Sequence, residues 1–394
     1  MVLLTWLAML VGPGQVNVAA PLWDLAALKE AKVAPAWGPE ASQDGLIVRP
    51  VLYRGEDFRG KPARVFAWYV RPAAEGKYPA MVLVHGGGGK AFKDWAIHHA
   101  KRGYCAIAMD LSGNGEDGKR LADGGPDQSD DTKFRDFTPA SLKDMWTYHA
   151  VANVLRAHTL LAGLPEVDAS RIGVTGISWG GYLTCIVAGI DDRLIAAVPV
   201  YGCGFLHEDS VWKLQRFDSV DPGRRDRWVS AFDPSRHVGG AKCPMLFLNG
   251  TNDFAYPMGS YQKTYNLVNA PKTVSVRVRL PHGHIWTFGE VDTFLDSHLK
   301  GGKPLPTLSR MTVQGRNARA TFQAPVPVTG GYLHYAIAQG PWQKREWKSQ
   351  AAKVENGMIS AELPEFRPLV FELAVVDERG LQITTPHQIL NDAP

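Results

Sequence analysis

The stretch "RIGVTGISWGGYLT", Arg171 to Thr184, decides the fold. Ile172 to Thr175 is a short apolar run of the kind that forms a strand buried on both faces. The residues from Tyr182, "YLTCIVAGI", read as a helix. Between them Ser178 stands in Gly176-Ile177-Ser178-Trp179-Gly180. A chain that turns sharply from strand into helix needs small residues at the turn, and Gly176 and Gly180 supply them. Gly181 lets the helix pack close to the strand. In this strand–turn–helix context G-x-S-x-G is a nucleophile elbow, which raises the serine above the sheet edge. The N–H of Trp179, at the helix start, then faces a developing oxyanion. The bland rival is a structural Gly-Ser turn.

Working outward, the same pattern repeats. "GLIVRPVLYR" and "ARVFAWYVRP" open as a pair of extended strands. "PAMVLVHGG", "GYCAIAMDL", "IAAVPVYG", "PMLFLNG" and "TVSVRVRL" are short Val- and Ile-rich runs separated by helical segments. This predicts an α/β fold with a mostly parallel, doubly wound sheet over residues 45–302. The longest helical segment lies in "FTPASLKDMWTYHAVANVLRAHTLLAG", with Thr138 as cap, Pro139 in the first turn and Gly163 at the end. From Ser309 onward the segments become short and β-like, with turn residues between them. That predicts a small all-β sandwich over 303–394.

The loops after the strands supply partners for Ser178. "VLVHGGGGK" places Gly86 and Gly87 where a second oxyanion donor belongs, and His85 braces that loop or borders the pocket. A phosphate-binding reading fails for want of the second spaced Gly and the Lys-Ser/Thr pair. Asp253, in "TNDFAYP", is the expected acid; a turn aspartate is the bland alternative and Asn252 the competitor. "PHGHIW" offers two histidines. His284, which opens the last helical segment, is the expected base and His282 the runner-up. The order Ser, Asp, His and the position of each after a strand of one parallel sheet agree with nucleophilic catalysis at the carboxyl edge. Tyr201 and Trp286 flank these motifs and are expected pocket residues.

Composition narrows the rest. Hydrophobic residues make up 45% and charged residues 21%, with net charge +4. No Lys/Arg block of the kind that tracks nucleic acid occurs, so no nucleic-acid partner is expected. No cofactor or metal is expected. The aspartates of the long loop Leu111–Phe137 invite a calcium reading, but "DQSDD" lacks EF-hand spacing, so a solvated acidic loop is expected, placed to wall the pocket or to form a lid. Four cysteines are too few for a disulfide scaffold and are expected as buried thiols. Residues 1–20, "MVLLTWLAMLVGPGQVNVAA", read as a secretory signal without its positive start, and no other run suits a membrane span. An exported protein is expected, with residues 21–44 as an N-terminal segment. Trp342 and Trp347, in "GPWQKREW", suggest a carbohydrate-binding face, a structural appendage or a dimer contact.

With "GISWGGY", "LNGTNDFAYPMGS" and "PHGH" in place, the chain resembles the α/β-hydrolase superfamily over residues 45–302. Within it, these motifs are similar to those of prolyl-oligopeptidase-type peptidases, acetylxylan esterases and dienelactone hydrolases. The peptidases carry a large N-terminal propeller, whereas here only residues 21–44 separate the signal from the first strand. Dienelactone hydrolases use a cysteine where this chain has Ser178. The resemblance therefore implies a serine esterase, with an acetyl ester of a carbohydrate as substrate class. A peptidase is the alternative. A binding module that has lost the chemistry is disfavoured, since a candidate for every triad position is present; an acyltransferase would use the same acyl-enzyme.

Overall fold

The computed structural model describes residues 22–31, 33–286 and 288–391. The expected signal, residues 1–20, lies outside them. The eight main strands of the ten-stranded central sheet are β1 (Leu46–Arg54), β2 (Arg64–Pro72), β3 (Tyr78–Val84), β4 (Cys105–Met109), β5 (Val167–Ile177), β6 (Ala196–Val200), β7 (Met245–Gly250) and β8 (Lys272–Arg277); the short strands Ala36–Trp37 and Ala41–Gln43 pair with β1. Their spatial order is β1-β2-β4-β3-β5-β6-β7-β8. The β1–β2 and β2–β4 pairs are antiparallel; every pair from β4 to β8 is parallel. The loops after β3, β5, β7 and β8 therefore emerge along one edge, where sites in such sheets form.

Among the described residues six helices have nine or more residues: α1 (Lys93–Lys101), α2 (Trp146–Ala162), α3 (Trp179–Ile190), α4 (Pro222–Phe232), α5 (Met258–Asn266) and α6 (Gly289–Leu299). The strand period of two sorts the core. Met81 and Leu83 of β3 pack with Trp95 of α1 and Phe294 of α6. Val82 and Val84 pack on the other face with Val151 of α2 and Leu183 of α3. Both side-chain sets are apolar because both faces are covered. All four cysteines are buried free thiols.

The α2 helix starts later than its sequence suggests. Thr138 and Ser141 close a turn, Leu142–Asp144 forms one 3-10 turn, and Met145 is extended (ψ 141°) before the helix begins at Trp146. Asp144 is held off the helix axis: its carboxylate accepts from Arg59 N–H and its carbonyl from Arg135. These long-range ties outweigh the capping residues. At the other end Gly163 N–H closes the helix on Thr159 and Leu160 carbonyls.

The C-terminal region forms two antiparallel five-stranded sheets. One contains β9 (Asn317–Gln323) and β11 (Met358–Glu362); the other contains β10 (Val328–Ile337) and β12 (Leu369–Asp377). Ala318, Ala320 and Ile359 of the first share a core with Leu333, Phe371 and Leu373 of the second. This sandwich covers the outer edge of β8, where Gln382 Nε2 donates to Val276 O and Val276 N–H donates to Thr384 Oγ1. An edge strand that would otherwise offer unpaired groups is thereby closed. On β12, Glu372 is fully buried and neither carboxyl oxygen has a hydrogen-bond partner. Burial holds its pKa well above the usual carboxylate value.

Candidate active site

The turn after β5 puts Ser178 in the left-handed region, at φ 60° and ψ −119°. A serine held there stores about 1–3 kcal/mol of strain. The surroundings impose it. A Cβ at Gly176 would lie 2.4 Å from Gly180 O, and one at Gly180 would lie 2.1 Å from Val84 O. Neither position admits a side chain, so the elbow is pressed against the end of β3. Ser178 N–H donates to Val200 O, which ties the turn to β6. The serine is 9% exposed.

Asp253 follows β7 and is 2% exposed. Its Oδ1 accepts from the N–H groups of Ala255 (2.9 Å) and Tyr256 (2.7 Å). Its Oδ2 lies 2.7 Å from Nδ1 of His282, and Nε2 of His282 lies 2.9 Å from Ser178 Oγ. A carboxylate only accepts, so Nδ1 carries the proton and Nε2 is left to accept from the serine hydroxyl. This is the geometry of a nucleophile, a base and an orienting acid. The His282 ring is held on three sides: Tyr201 at 4.4 Å, Phe254 at 4.7 Å and Tyr256, nearly parallel, at 6.3 Å.

The expected base, His284, is not in that chain of bonds. Its Nε2 accepts from Gly86 N–H at 3.1 Å, and its ring packs on Phe92 and Trp95. Sheet order explains the exchange. The segment after β8 runs back over β7 and β6 toward β5 and β3. It meets Asp253 and Ser178 first, with His282, and the β3 loop two residues later, with His284. Tyr201 pins the segment midway through a hydrogen bond to Gly283 O. His284 is half-buried, and burial, with His85 and His282 nearby, lowers its pKa. It therefore stays neutral, as an acceptor of Gly86 N–H must.

That bond also distinguishes among the expected oxyanion donors. Gly86 N–H is occupied by His284, and Gly88 N–H donates to Gln128 Oε1. Gly87 sits beside Trp179, with its Cβ position 3.0 Å from the indole. Gly87 lines the cavity, and its N–H has no backbone partner among the described residues. The N–H of Trp179, first in α3, has no intrahelical acceptor. His85 is a brace and not a pocket residue. It is buried, its Nδ1 donates to Gly86 O, and its Nε2 accepts from Leu111 N–H.

A cavity of about 350 Å³ opens on Ser178, walled by Gly87, Trp179, Trp212, Phe254, Ala255 and His284. Trp286 stands apart from it, packed on Trp95 and His99, and Tyr201 lies beneath His282. Trp212 and Phe254 were not singled out in the sequence; both lie in loops after parallel strands, the one signal that points to them. The Leu111–Phe137 loop backs Trp179 through Phe134 and the Lys133 ammonium, 4.7 Å from the indole. Three of its aspartates pair with cations of the protein itself: Asp123 with Arg64, Asp130 with Lys133 and Arg216, Asp136 with Arg227. No acidic, His or Cys cluster that would hold a metal occurs among the described residues. Asn252, next to the acid, turns the other way and donates to the carbonyls of Trp342, Gln343 and Arg345.

The chain is similar to known proteins over part of its length. A family model described as acetyl xylan esterase matches residues 51–219, which include the elbow. An acetyl esterase of Xylanibacter ruminicola, Axe7A, is 24% identical over 250 residues, covering 58% of this chain and 54% of the relative. YuxL of Bacillus subtilis, an uncharacterized peptidase, is 24% identical over 291 residues, 64% of this chain and 39% of the relative. The matches thus span about half or less of these curated relatives. Among solved structures, an acetyl xylan esterase from Paenibacillus sp. R4 superposes with a TM-score of 0.55 at 24% identity, covering 70% of this chain and 92% of that one. That likeness shows the fold. No helix among the described residues is long and apolar enough to cross a membrane. The chain thus has the α/β-hydrolase fold and is similar, over residues 51–219, to the acetyl xylan esterase family.

Proposed function

We propose that the protein is a serine carboxylic-ester hydrolase that removes small acyl groups, acetyl foremost, from carbohydrate esters. The observation that carries this reading is the unbroken relay Asp253–His282–Ser178 beneath a small aromatic cavity. His282 Nε2 takes the Ser178 proton as Oγ attacks the acyl carbon. Asp253 holds the ring in that tautomer and stabilises the imidazolium. Gly87 and Trp179 donate to the oxyanion of the tetrahedral intermediate. His282 then gives the proton to the alcohol oxygen, the C–O bond breaks, and the acyl group stays on Ser178. Water, deprotonated by the same nitrogen, releases the acid. The similarity to acetyl xylan esterases supports an acetyl group on a sugar as substrate. The apolar run at the N-terminus supports action outside the cell.

The test is hydrolysis of 4-nitrophenyl acetate and of acetylated xylan, beside Ser178→Ala and a proline-containing peptide. Ester turnover that vanishes in the variant, with the peptide left intact, supports the reading. Peptide cleavage by the wild type in place of ester turnover refutes it.

A further inference from the structure

Because His282 must protonate the departing oxygen, the alcohol part of the ester leaves on the His282 side, away from Gly87 and Trp179. On that side an open cleft of about 520 Å³ adjoins the acyl cavity, with His282 and Phe254 shared between the two. One wall is the acid loop with Arg279. The other is Gln343–Glu346, supplied by the C-terminal sandwich. This wall is fixed in place. Asn252 Nδ2 gathers two of its carbonyls, Gln343 O and Arg345 O, with that of the preceding Trp342, at 2.8 to 3.3 Å, and Gln343 Nε2 donates to Phe254 O.

The cleft is cationic. Arg279, Lys344 and Arg345 line it, and none of them forms an ion pair within 4 Å among the described residues. The Arg345 guanidinium lies 3.6 Å over the Trp342 ring, and its buried Nη1 has no hydrogen-bond partner. Against these three charges stands Glu346, with Asp209 farther off beside Arg345; Asp253 is engaged by His282. Phe254, 55% exposed, stands at the junction as a bare ring face on which a sugar can stack.

We propose that this cleft is the alcohol-side subsite and that it takes a leaving group bearing a carboxylate, such as an acidic sugar. The inference rests on the serine-esterase reading and gives the C-terminal sandwich a part in substrate selection. Three cations without an ion-pair partner, beside a stacking ring, attract an anionic sugar more strongly than a neutral one.

The test uses two esters that differ only at C6, carboxylate against hydroxymethyl: the mono-O-acetyl methyl glucuronoside and the matching glucoside, with the full-length protein at low salt. The expected kcat/KM is about tenfold higher for the uronoside, carried by KM, since two or three exposed charge pairs are worth roughly that factor. Salt at 0.5 M and the double variant Arg279→Gln/Lys344→Gln each bring the ratio toward one; Glu346→Gln raises it. Equal kcat/KM for the two esters, or a ratio that neither salt nor the variants move, overturns the inference while Ser178-dependent hydrolysis of 4-nitrophenyl acetate leaves the esterase reading standing. Loss of both readings together is recognised by the absence of any Ser178-dependent turnover.

Discussion

Replacing His284 by Phe isolates the one hydrogen bond that distinguishes its role from that of His282. The substitution keeps a ring against Phe92 and Trp95 and removes the acceptor of Gly86 N–H. That N–H lies on the loop that carries Gly87, and a Cβ at Gly86 or Gly89 would come within 3.0 or 2.8 Å of His284 Nε2, so the ring fills the space between them. A buried N–H left without a partner costs about 1–3 kcal/mol. If the loop relieves this by shifting, the loss appears where the loop is most needed, at the oxyanion. The expected fall in kcat is roughly 5- to 150-fold, with little change in KM. His284→Gln, whose Oε1 can accept the same N–H, recovers most of it. The assay is initial-rate hydrolysis of 4-nitrophenyl acetate over a range of concentrations, with a melting curve for each variant. A His284→Phe enzyme as inactive as Ser178→Ala, and not rescued by Gln, would mean that His284 moves the proton. An unchanged kcat would mean that the Gly86 bond does not set the loop.

Three further outcomes follow from the geometry. Asp253→Asn keeps the two backbone N–H bonds on its carbonyl oxygen, so its amide donates to His282 Nδ1 and forces the wrong tautomer; kcat falls by about 10⁴ with the fold intact by circular dichroism. Trp212→Ala widens the acyl cavity, and the ratio of kcat/KM for 4-nitrophenyl butyrate over acetate rises about tenfold, at roughly 0.8 kcal/mol for each added methylene buried. The third concerns Glu372, whose folded pKa is raised by burial while the unfolded one is ordinary. The folded state keeps a proton that the unfolded state gives up, so stability is lost as pH rises above the unfolded value. Glu372→Met removes this loss: its melting temperature exceeds that of the wild type by a margin that grows from pH 5 to pH 8. A constant margin would refute the assignment.

The elbow was legible because its demands are local. Gly176 and Gly180 are required by backbone atoms immediately around the turn, and those requirements are visible as glycines at fixed spacing. Asp253 was legible as the first acidic residue past the end of β7. The histidine was not. His282 and His284 sit two residues apart in a segment without regular structure, and their fates are set by a tie to Tyr201 and by which strand end each crosses. The start of α2 was misread for a similar reason, since Arg59 and Arg135 hold Asp144 from outside the segment. Least legible was the second wall of the alcohol-side cleft. Its anchor joins Asn252 to carbonyls about ninety residues away, and the asparagine had figured only as a rival to its neighbour.

The central claim is that His282 activates Ser178. The most direct test is intact-mass measurement after exposure to an organophosphate ester, which labels an activated serine whatever the natural substrate. One adduct per chain on the Ser178 peptide, formed in the wild type and in His284→Phe and absent from His282→Ala, is the predicted result. Labelling of His282→Ala at the wild-type rate, or an adduct on any other residue, would contradict it.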